Sequence, residues 1–393
     1  MSDSEEVYEG DQIPSDDESV DGNGISDEEG YDLNVDSGKH YENDSRRFKK
    51  SKISSDETWS NQSLPFDNLP FTKNVGPKNI PDTNKIKNDV PVTADEIKKF
   101  IGVNIMIGVK HLLSYRDSWP SNPQLNDAYI SSSMPVKRFS FLLSNLHLND
   151  QTKEPKKGEV NFDKLYKIRP FIDRISETYM QYYDPTREQS IDESMVKFKS
   201  RNTMKQYMPQ KPIKQGYKIW VRSDMNGYVC EFQIYTGKIN NVTKKNLGER
   251  VIMSLSQTLK NKNYHIYFDN YFTSTNLMIT LLKDGISACG TIRKDDLPKN
   301  QGKDKDMKMG DNQYRPSNEG IRYLKWLDKK PVHFLSNFHD PSDLSEVERR
   351  QKDGSLKTIA CPQIAKDYNA HMGFVDKSDQ MKSFYEITRK SRK

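Results

Sequence analysis

The chain has 393 residues, of which 33% are hydrophobic, and its formal charge is +5. This length allows about two to three domains, but the low apolar content indicates that part of the chain stays unfolded. Three Cys argue against a disulfide framework and a four-Cys zinc site, so we expect no zinc. The sequence shows no secretory signal and no apolar run long enough to cross a bilayer, which argues against secreted and membrane classes.

The charge is unevenly distributed along the chain. Residues 1–38 contain fourteen Asp or Glu and no Lys or Arg, so residues 39–393 carry +19. An acidic block with few apolar residues is typical of a disordered tail, whereas a basic body favours a polyanionic partner such as double-stranded DNA. A surface tuned for solubility would show the same balance. The basic run at residues 46–52 is typical of a nuclear-import signal or a phosphate-binding patch, so we expect a nuclear protein with residues 1–88 mostly disordered.

Residues 89–186 show the apolar spacing of helices. Thr93 and Glu96 form a capping box before an apolar run that repeats at helical intervals as far as Leu112. Two further helices are predicted within residues 134–148 and 165–179. We interpret this region as a helical N-terminal domain.

The periodicity changes to that of strands at about residue 188. Strands are predicted at residues 191–198, 217–222, 228–235, 264–268 and 286–293, with helices at 247–259 and 274–285. Asn226-Gly227 indicates a tight hairpin between the second and third strands. The order β-β-β-α-β-α-β predicts an α/β fold, with a mixed sheet and helices on its faces. Beyond it we predict a loop at residues 294–315, strands at 322–326 and 332–336, and a final helix at about 369–387.

Four Asp residues are candidates for chemistry. Asp192 lies within the first predicted strand and Asp269 at the end of the fourth, and these two strands are commonly neighbours in this topology. Asp376 and Asp379 lie three apart, on one face of the final helix. Together they form a candidate site for two Mg²⁺ ions, which prefer carboxylate oxygens and can promote phosphodiester cleavage. The alternative is that these residues are turn caps and surface charges.

Other chemistries have less support in the sequence. His265 and His371 have no Cys nucleophile nearby and no second His at ligand spacing. Cys230 and Cys289 fall within strand patterns and are interpreted as core residues. No glycine-rich loop for phosphates is present, so no small-molecule cofactor is expected.

Several motifs resemble those of piggyBac-type transposases and their domesticated derivatives. They include "IDES" at residues 191–194, "QYMPQKPIKQGYKIWV" at 206–221, "YFDNYFTSTNLMITLLKDGISACGTIRK" at 267–294 and "DYNAHMGFVDKSDQMKSFYEITRKS" at 367–391. The upstream segments "LLSYRDSW" and "MPVKRFSFLLSNLHLND" match as well. The resemblance covers about residues 90–393, in the order in which the family has them.

The resemblance implies an RNase H-like catalytic core at residues 187–293 and 366–393, interrupted by an insertion subdomain at 294–365. It implies a DNA-binding and dimerisation role for the helical domain, and hence a possible homodimer. It also implies cut-and-paste DNA transposition at TTAA targets, with two Mg²⁺ bound by Asp192, Asp269 and Asp376, and with Asp379 as an accompanying acidic residue. The spacing argument points to the same four positions but supplies neither the target nor the reaction.

The sequence departs from the family pattern at three places. Ser200 and Phe374 stand where the family has Gly, and Phe374 is expected to be unfavourable if its backbone needs positive φ. The chain ends at Lys393, whereas family members continue, many with a zinc domain. We therefore interpret the chain as C-terminally truncated, with an apparently complete Asp set but no independent activity. The alternative is a domesticated, non-enzymatic protein that binds DNA or chromatin in the nucleus.

The segment after Asp192 is rich in basic residues that are candidates for phosphate contacts. These are Lys197, Lys199, Arg201, Lys205, Lys211, Lys214 and Lys218. Contacts of this kind would make DNA affinity strongly dependent on salt and nearly independent of DNA sequence. The alternative is that they form the solvated face of a loop.

Overall fold

The computed structural model describes residues 76–77, 92–120, 122, 124, 126–237, 246–294, 306–351 and 353–385. The predictions for the acidic tail, for the basic run that follows it and for the chain beyond residue 385 lie outside these ranges. None of the helices within the described ranges is long and apolar enough to span a bilayer.

Four helices precede the main sheet, and the three predicted ones are confirmed among them. They are Ala94–Lys110 (α1), Ala128–Ser133 (α2), Val136–Asn145 (α3) and Arg169–Tyr182 (α4). The Thr93 hydroxyl caps α1 by accepting the Glu96 N–H at 3.2 Å. Helix α4 begins later than predicted because Pro170, which lacks an N–H, fits only the first turn. A small core joins α1, α2 and α3 around the buried ring of Phe139.

A large mixed sheet forms the centre of the described chain. A separate short ladder pairs Gly76–Pro77 (β1) with Tyr183–Asp184 (β2). The described strands of the main sheet are Glu188–Lys197 (β3), Lys205–Tyr207 (β4), Gln215–Asp224 (β5), Val229–Ile234 (β6), His265–Phe268 (β7), Ser287–Thr291 (β8), Asn312–Pro316 (β9), Arg322–Leu327 (β10) and Pro331–Ser336 (β11). Their order is β4-β5-β3-β7-β8-β11-β10-β9, and β6 also pairs with β5. β3, β7 and β8 run parallel, while their other neighbours are antiparallel.

Helices cover both faces of this sheet. Leu247–Leu255 (α5) and Thr275–Lys283 (α6) pack on one face, in a core that includes Ile191, Ile266 and Phe268. Gln363–His371 (α7) and Phe374–Ser383 (α8) belong to the other face, where α7 packs against Tyr267 and its neighbours. Alternate residues of β7 therefore enter different cores, as expected for a strand that is buried on both sides.

A polar series links the sheet to α7. The Ser336 Oγ lies 2.9 Å from Nδ1 of His339, and Nε2 of the same ring lies 3.0 Å from the Asp367 Oδ2. Ser336 and His339 are both buried, so these contacts satisfy polar groups that have left water.

The predicted order of elements and the α/β class are confirmed. β3, β5, β6, α5, β7, α6 and β8 follow one another as the sequence predicted. The Asn226-Gly227 hairpin is also confirmed, with Gly227 at φ 77°. The Asp224 carboxylate stabilises the turn by accepting the N–H groups of Asn226 and Tyr228.

Three details of the C-terminal half differ from the prediction. The final helix is two helices, since α7 already begins at Gln363 after Pro362 and the chain breaks around Gly373 before α8. Residues 312–316, predicted as loop, form β9, because β10 offers them an antiparallel partner. A hairpin of Leu344–Arg350 (β12) and Leu356–Pro362 (β13) was not predicted. β9, β10 and β11, which fall in the segment expected as an insertion, continue the main sheet.

Candidate active site

The two strand Asp residues lie on neighbouring parallel strands. Ile191 of β3 pairs in register with Phe268 of β7, so Asp192 and Asp269 are the next residues along each strand. Adjacent strands lie about 4.8 Å apart, and residues at equivalent register point to the same face. That face is the one covered by α7 and α8, because Ile191 and Phe268 belong to the core on the opposite side. Asp192 and Asp269 therefore directly follow the last paired residues of two neighbouring strands.

A tight turn fixes the carboxylate of Asp269. One carboxylate oxygen accepts the Tyr271 N–H at 2.9 Å, while the main-chain oxygen accepts the Thr273 hydroxyl at 2.8 Å. The turn packs closely over Gly290 of β8, where an added Cβ would lie 2.3 Å from the Thr273 Oγ1. Burial raises the pKa of Asp269, so this carboxylate needs a compensating positive charge.

Asp192 is the more deeply buried of the two, with 8% of the residue exposed. Its Oδ2 lies 3.1 Å from the Nζ of Lys211. Burial and a hydrogen bond with Glu193 raise the pKa of Asp192 to about 8, although the charge of Lys211 acts in the opposite direction. Burial has the larger effect, so the site favours a proton or a cation at this carboxylate.

Glu193 forms a second buried ion pair beside the first. The Nζ of Lys218 lies 2.9 Å from its Oε1 and also sits over the rings of Trp220 and Tyr271, at 5.6 and 5.1 Å from their centroids. Burial alone would raise the pKa of Glu193, but the hydrogen bonds with Asp192 and Lys218 lower it. Glu193 therefore keeps its negative charge, and Lys218 links it to the turn after Asp269.

Helix α8 carries the other two Asp residues to this face. Asp379 accepts the Ser194 hydroxyl at 2.6 Å and the Lys382 ammonium at 2.8 Å, which ties α8 to β3 two residues beyond Asp192. Asp376 lies in the first turn of α8, where the helix dipole favours a negative charge. Asp379 thus anchors the helix, and Asp376 is the member of the pair nearer its N-terminus.

The ammonium of Lys211 is affected by the charges of several of these carboxylates. Burial alone would lower its pKa, but the charges of Asp192, Glu193 and Asp376 outweigh burial and raise it. The charge of the same ammonium favours a lower pKa at Asp269, against the effect of burial. Lys211 therefore contacts Asp192 and lies within electrostatic range of Asp269 and Asp376, while Asp379 is held by Ser194 and Lys382.

The predicted phosphate-contact residues fall into two groups. Lys197, Lys199, Arg201 and Lys214 are exposed, and Lys205 is half-buried on the edge strand β4. Lys211 and Lys218 are instead ion-paired with Asp192 and Glu193. Their Lys-rich sequence alone does not separate the two groups.

The expectation that Phe374 is unfavourable for the backbone is corrected, and the burial of Arg222 was not predicted. Phe374 is the first residue of α8 and is absent from the positive-φ positions of the described chain, so its backbone does not require Gly.

Arg222 of β5 is fully buried and donates to the Leu255 carbonyl at 2.6 Å and to Glu231 at 2.8 Å. A lone Arg at the end of a predicted strand gave no signal that it would be buried.

The carboxylate oxygens of these Asp residues are ligands of the kind that a hard divalent cation takes, although the side chains do not form a closed site. Within the described residues, no group of three or more His, Cys, Asp or Glu is placed to hold a metal ion. Buried carboxylates with raised pKa values are nevertheless the oxygen ligands that Mg²⁺ takes, and they already attract one cation. The oxygen donors of Asp192 and Asp269 are therefore of the kind that a hard divalent cation takes.

Comparison with known proteins identifies the family. A family profile described as "Transposase IS4" matches residues 77–393, which is most of the chain. PiggyBac transposable element-derived protein 3 of Homo sapiens is 30% identical over 313 residues, covering 77% of this chain and 52% of that protein. The chain belongs to the piggyBac transposase family.

Other members of the piggyBac family agree with this assignment. PiggyBac transposable element-derived protein 2 of Homo sapiens is 27% identical over 310 residues, covering 76% of this chain and 52% of that protein. This chain thus spans about half the length of the curated relatives it matches. A solved piggyBac transposase synaptic complex with hairpin DNA matches with a TM-score of 0.63 and 26% identity, over 78% of this chain and 63% of that one.

Proposed function

We propose that this chain is a piggyBac-type DNA-cleaving core, in which Asp192, Asp269 and Asp376 hold two Mg²⁺ ions for cut-and-paste transposition. The observation that supports this most is the register of β3 and β7, in which Asp192 and Asp269 directly follow the last paired residues, Ile191 and Phe268. Asp376 adds its charge from α8 to the same ammonium of Lys211. These observations support a site to which β3, the turn after β7 and α8 would each contribute a carboxylate.

The bound ions would stabilise the attacking and leaving oxygens of a phosphodiester during in-line cleavage. The side chains of this protein supply the ligands and hold them in place. Tyr271 and Thr273 fix the orientation of Asp269, and Gly290 leaves room for that turn. Ser194 and Lys382 hold Asp379, and through it the helix that carries Asp376. Precise placement matters, because a small displacement of a catalytic group can lower the rate about 100-fold.

Double-stranded DNA is the proposed partner. The exposed Lys197, Lys199, Arg201 and Lys214 lie on the segment that follows Asp192 in the sequence. Lysines on such a surface would contact phosphates and position a duplex without selecting its sequence. The proposal includes a nuclear protein that acts as a homodimer, as expected from the family.

The test of this proposal is nicking of a supercoiled plasmid in Mg²⁺. Asp192→Asn, Asp269→Asn and Asp376→Asn should each lower nicking at least about 100-fold while leaving the circular dichroism spectrum unchanged. Asp95→Asn, a change at an exposed position on α1, is the matched control and should nick like the wild type. Nicking retained by all three site variants would show that another site cleaves the DNA.

The second candidate is a non-enzymatic DNA-binding protein derived from a transposase. It is favoured by the ion pair between Lys211 and Asp192, since no described cluster of carboxylates is placed to hold a metal ion. The same plasmid distinguishes the two candidates. Salt-dependent binding without nicking by the wild-type chain supports the second candidate and contradicts the first.

The DNA contacts can be tested separately from cleavage. Replacing Lys197, Lys199 and Lys214 together by Ala should reduce the slope of log affinity against log salt by about 2.7, at about 0.9 for each lost phosphate contact. The matched control replaces the exposed Lys308, Lys329 and Lys357, which lie in the C-terminal half. An equal loss of slope in both triple variants would indicate that binding depends on overall charge alone.

A further inference from the structure

We propose that Lys211 is a displaceable counter-ion of the carboxylate site, which a divalent metal ion releases to bind a DNA phosphate. The inference rests on the proposed function, because it requires a metal at Asp192. It adds a coupling between metal binding and DNA binding through one side chain of this protein.

The position of Lys211 is set by the loop between β4 and β5. The Met208 N–H donates to the Lys214 carbonyl at 2.9 Å, and the Lys211 N–H donates to the Met208 carbonyl at 3.2 Å. Pro209 and Pro212 flank the lysine and fix their own φ angles. The backbone is therefore restrained, and the flexible part is the lysine side chain itself.

The ammonium reaches the carboxylates from this loop. Its Nζ lies 3.1 Å from the Asp192 Oδ2, with 26% of the lysine side chain and 12% of the aspartate side chain exposed. Asp376 and Glu193 add their charges to the same ammonium. One positive charge thus compensates a group of carboxylates that would otherwise repel one another after losing their hydration.

Lys211 differs from the neighbouring Lys218, which is held in place more completely. Lys218 contacts Glu193 and sits over two aromatic rings, so leaving would cost an ion pair and two cation–π contacts. The contact of Lys211 is the Asp192 carboxylate, and a quarter of its side chain already meets solvent. Lys211 is therefore the lysine of this pair that can leave.

Charge balance supplies the reason for displacement. A divalent cation at Asp192 repels the ammonium twice as strongly as a single charge at the same distance would. It also provides the compensation for which Lys211 is otherwise needed. The exposed Lys197, Lys199 and Lys214 on the same segment mark where a phosphate backbone would run, and a released Lys211 would join them.

Metal affinity gives the first test, without any cleavage reaction. Mg²⁺ binding to the full chain is measured by isothermal titration calorimetry. Lys211→Ala should bind Mg²⁺ roughly five- to tenfold more tightly, since no ion pair has to be broken. Lys357→Ala, a change at an exposed lysine of β13, should match the wild type, and Asp192→Asn should lose binding.

The salt dependence of DNA binding gives the second test. The affinity for a short duplex is measured at several salt concentrations in Mg²⁺ and in EDTA. After the effect of Mg²⁺ on the DNA itself is subtracted, the slope of log affinity against log salt should be steeper by about 0.9 in Mg²⁺. This is the contribution of one added phosphate contact. Lys211→Ala lacks this difference and reports the effect of Mg²⁺ on the DNA alone. Lys214→Ala should keep the difference, because its missing contact is missing under both conditions.

The outcomes separate this inference from the proposed function. Measurable and equal Mg²⁺ affinity in wild type and Lys211→Ala overturns the inference and leaves the metal site standing. Weaker binding by Lys211→Ala also overturns it, because the lysine would then support the metal. Absence of Mg²⁺ binding in every variant overturns both the inference and the proposed metal site.

Discussion

The two faces of the central sheet are made from the same strands but differ in polarity where the pairing of β3 and β7 ends. Toward α5 and α6, Ile191, Ile266 and Phe268 enter an apolar core. Toward α7 and α8, the next residues along these strands are Asp192 and Asp269. Because successive residues of a strand point to opposite faces, residues of the apolar core and the candidate site residues are direct neighbours in the sequence.

The difference shows how a buried carboxylate site can be tolerated. The apolar face supplies burial free energy, at about 25 cal/mol for each Å² of apolar surface removed from water. The polar face carries carboxylates whose pKa values are raised by burial, which is unfavourable for folding at neutral pH. We therefore expect changes in the apolar core beneath α5 and α6 to affect mainly stability, and changes at the carboxylates to affect mainly DNA chemistry.

The largest effect is expected on the apolar face. Phe268→Ala removes a fully buried ring and should lower the free energy of unfolding by about 3–5 kcal/mol. Urea denaturation followed by tryptophan fluorescence measures the change. Phe141→Ala, on the exposed side of α3, is the control and should cost under about 1 kcal/mol. Equal losses would remove the proposed contrast between the two faces.

The second effect is acid sensitivity on the α7 face. Burial lowers the pKa of His265 to about 4, against about 6.5 in the unfolded chain. The unfolded state therefore takes up the proton first, so stability is full above about pH 6.5 and falls until about pH 4. The expected total loss is about 3 kcal/mol, at about 1.4 kcal/mol for each pKa unit.

Denaturation curves at a series of pH values test this acid sensitivity. His265→Gln lacks the titrating ring and should show a shallower decline between pH 6.5 and pH 4. An identical decline in the variant and the wild type would assign the acid sensitivity to other groups.

The third effect concerns the attachment of α8. Ser194→Ala removes the hydroxyl that donates to Asp379 and that accepts from the Lys382 ammonium at 3.0 Å. The cost in stability should be about 1.5 kcal/mol, as for a hydrogen bond to a charged group. Plasmid nicking should fall more than stability, because Asp376 loses its support. Ser132→Ala, at an exposed position on α2, is the control.

The smallest effect on stability is expected at Asp192, and it has the opposite sign. Asp192→Asn replaces a buried carboxylate by a neutral amide and should raise the free energy of unfolding by about 1 kcal/mol. Thermal denaturation at pH 7 measures the gain. A marked loss of stability would instead show that the ion pair with Lys211 supports the fold.

Sequence periodicity predicted the elements that have a strong local pattern. Strand alternation and the Asn226-Gly227 turn located β5 and β6 because both signals are short-range. Helix α8 was joined to α7 in the prediction, since the break at Gly373 has no proline to mark it. β12 was missed because four of its seven residues are charged, and β13 was missed because it lacks a clear apolar alternation.

For the site, the sequence and the family motifs indicated the Asp residues but not their partners. Lys211 and Lys218 looked like members of one basic run, and only three-dimensional packing separates them from Lys214. The role of Ser194 depends on a contact with Asp379, 185 residues away in sequence. Local patterns contain no information about such a contact, because it depends on how α8 returns to the sheet.

That long separation has a consequence for the order in which the site forms during synthesis. Chains emerge from the ribosome N-terminal end first, and domains fold largely as units. β3 and β5 can pair soon after they emerge, while β7 ends 44 residues after β5 and α8 comes last. Contacts between distant residues also form slowly, because a long loop must close first.

A nascent chain therefore holds Asp192 without Asp376 until nearly all of the described residues have been made. Until then Lys211, only nineteen residues from Asp192, is the nearby partner that can neutralise it. A site assembled from residues so far apart in the sequence remains incomplete in every shorter intermediate.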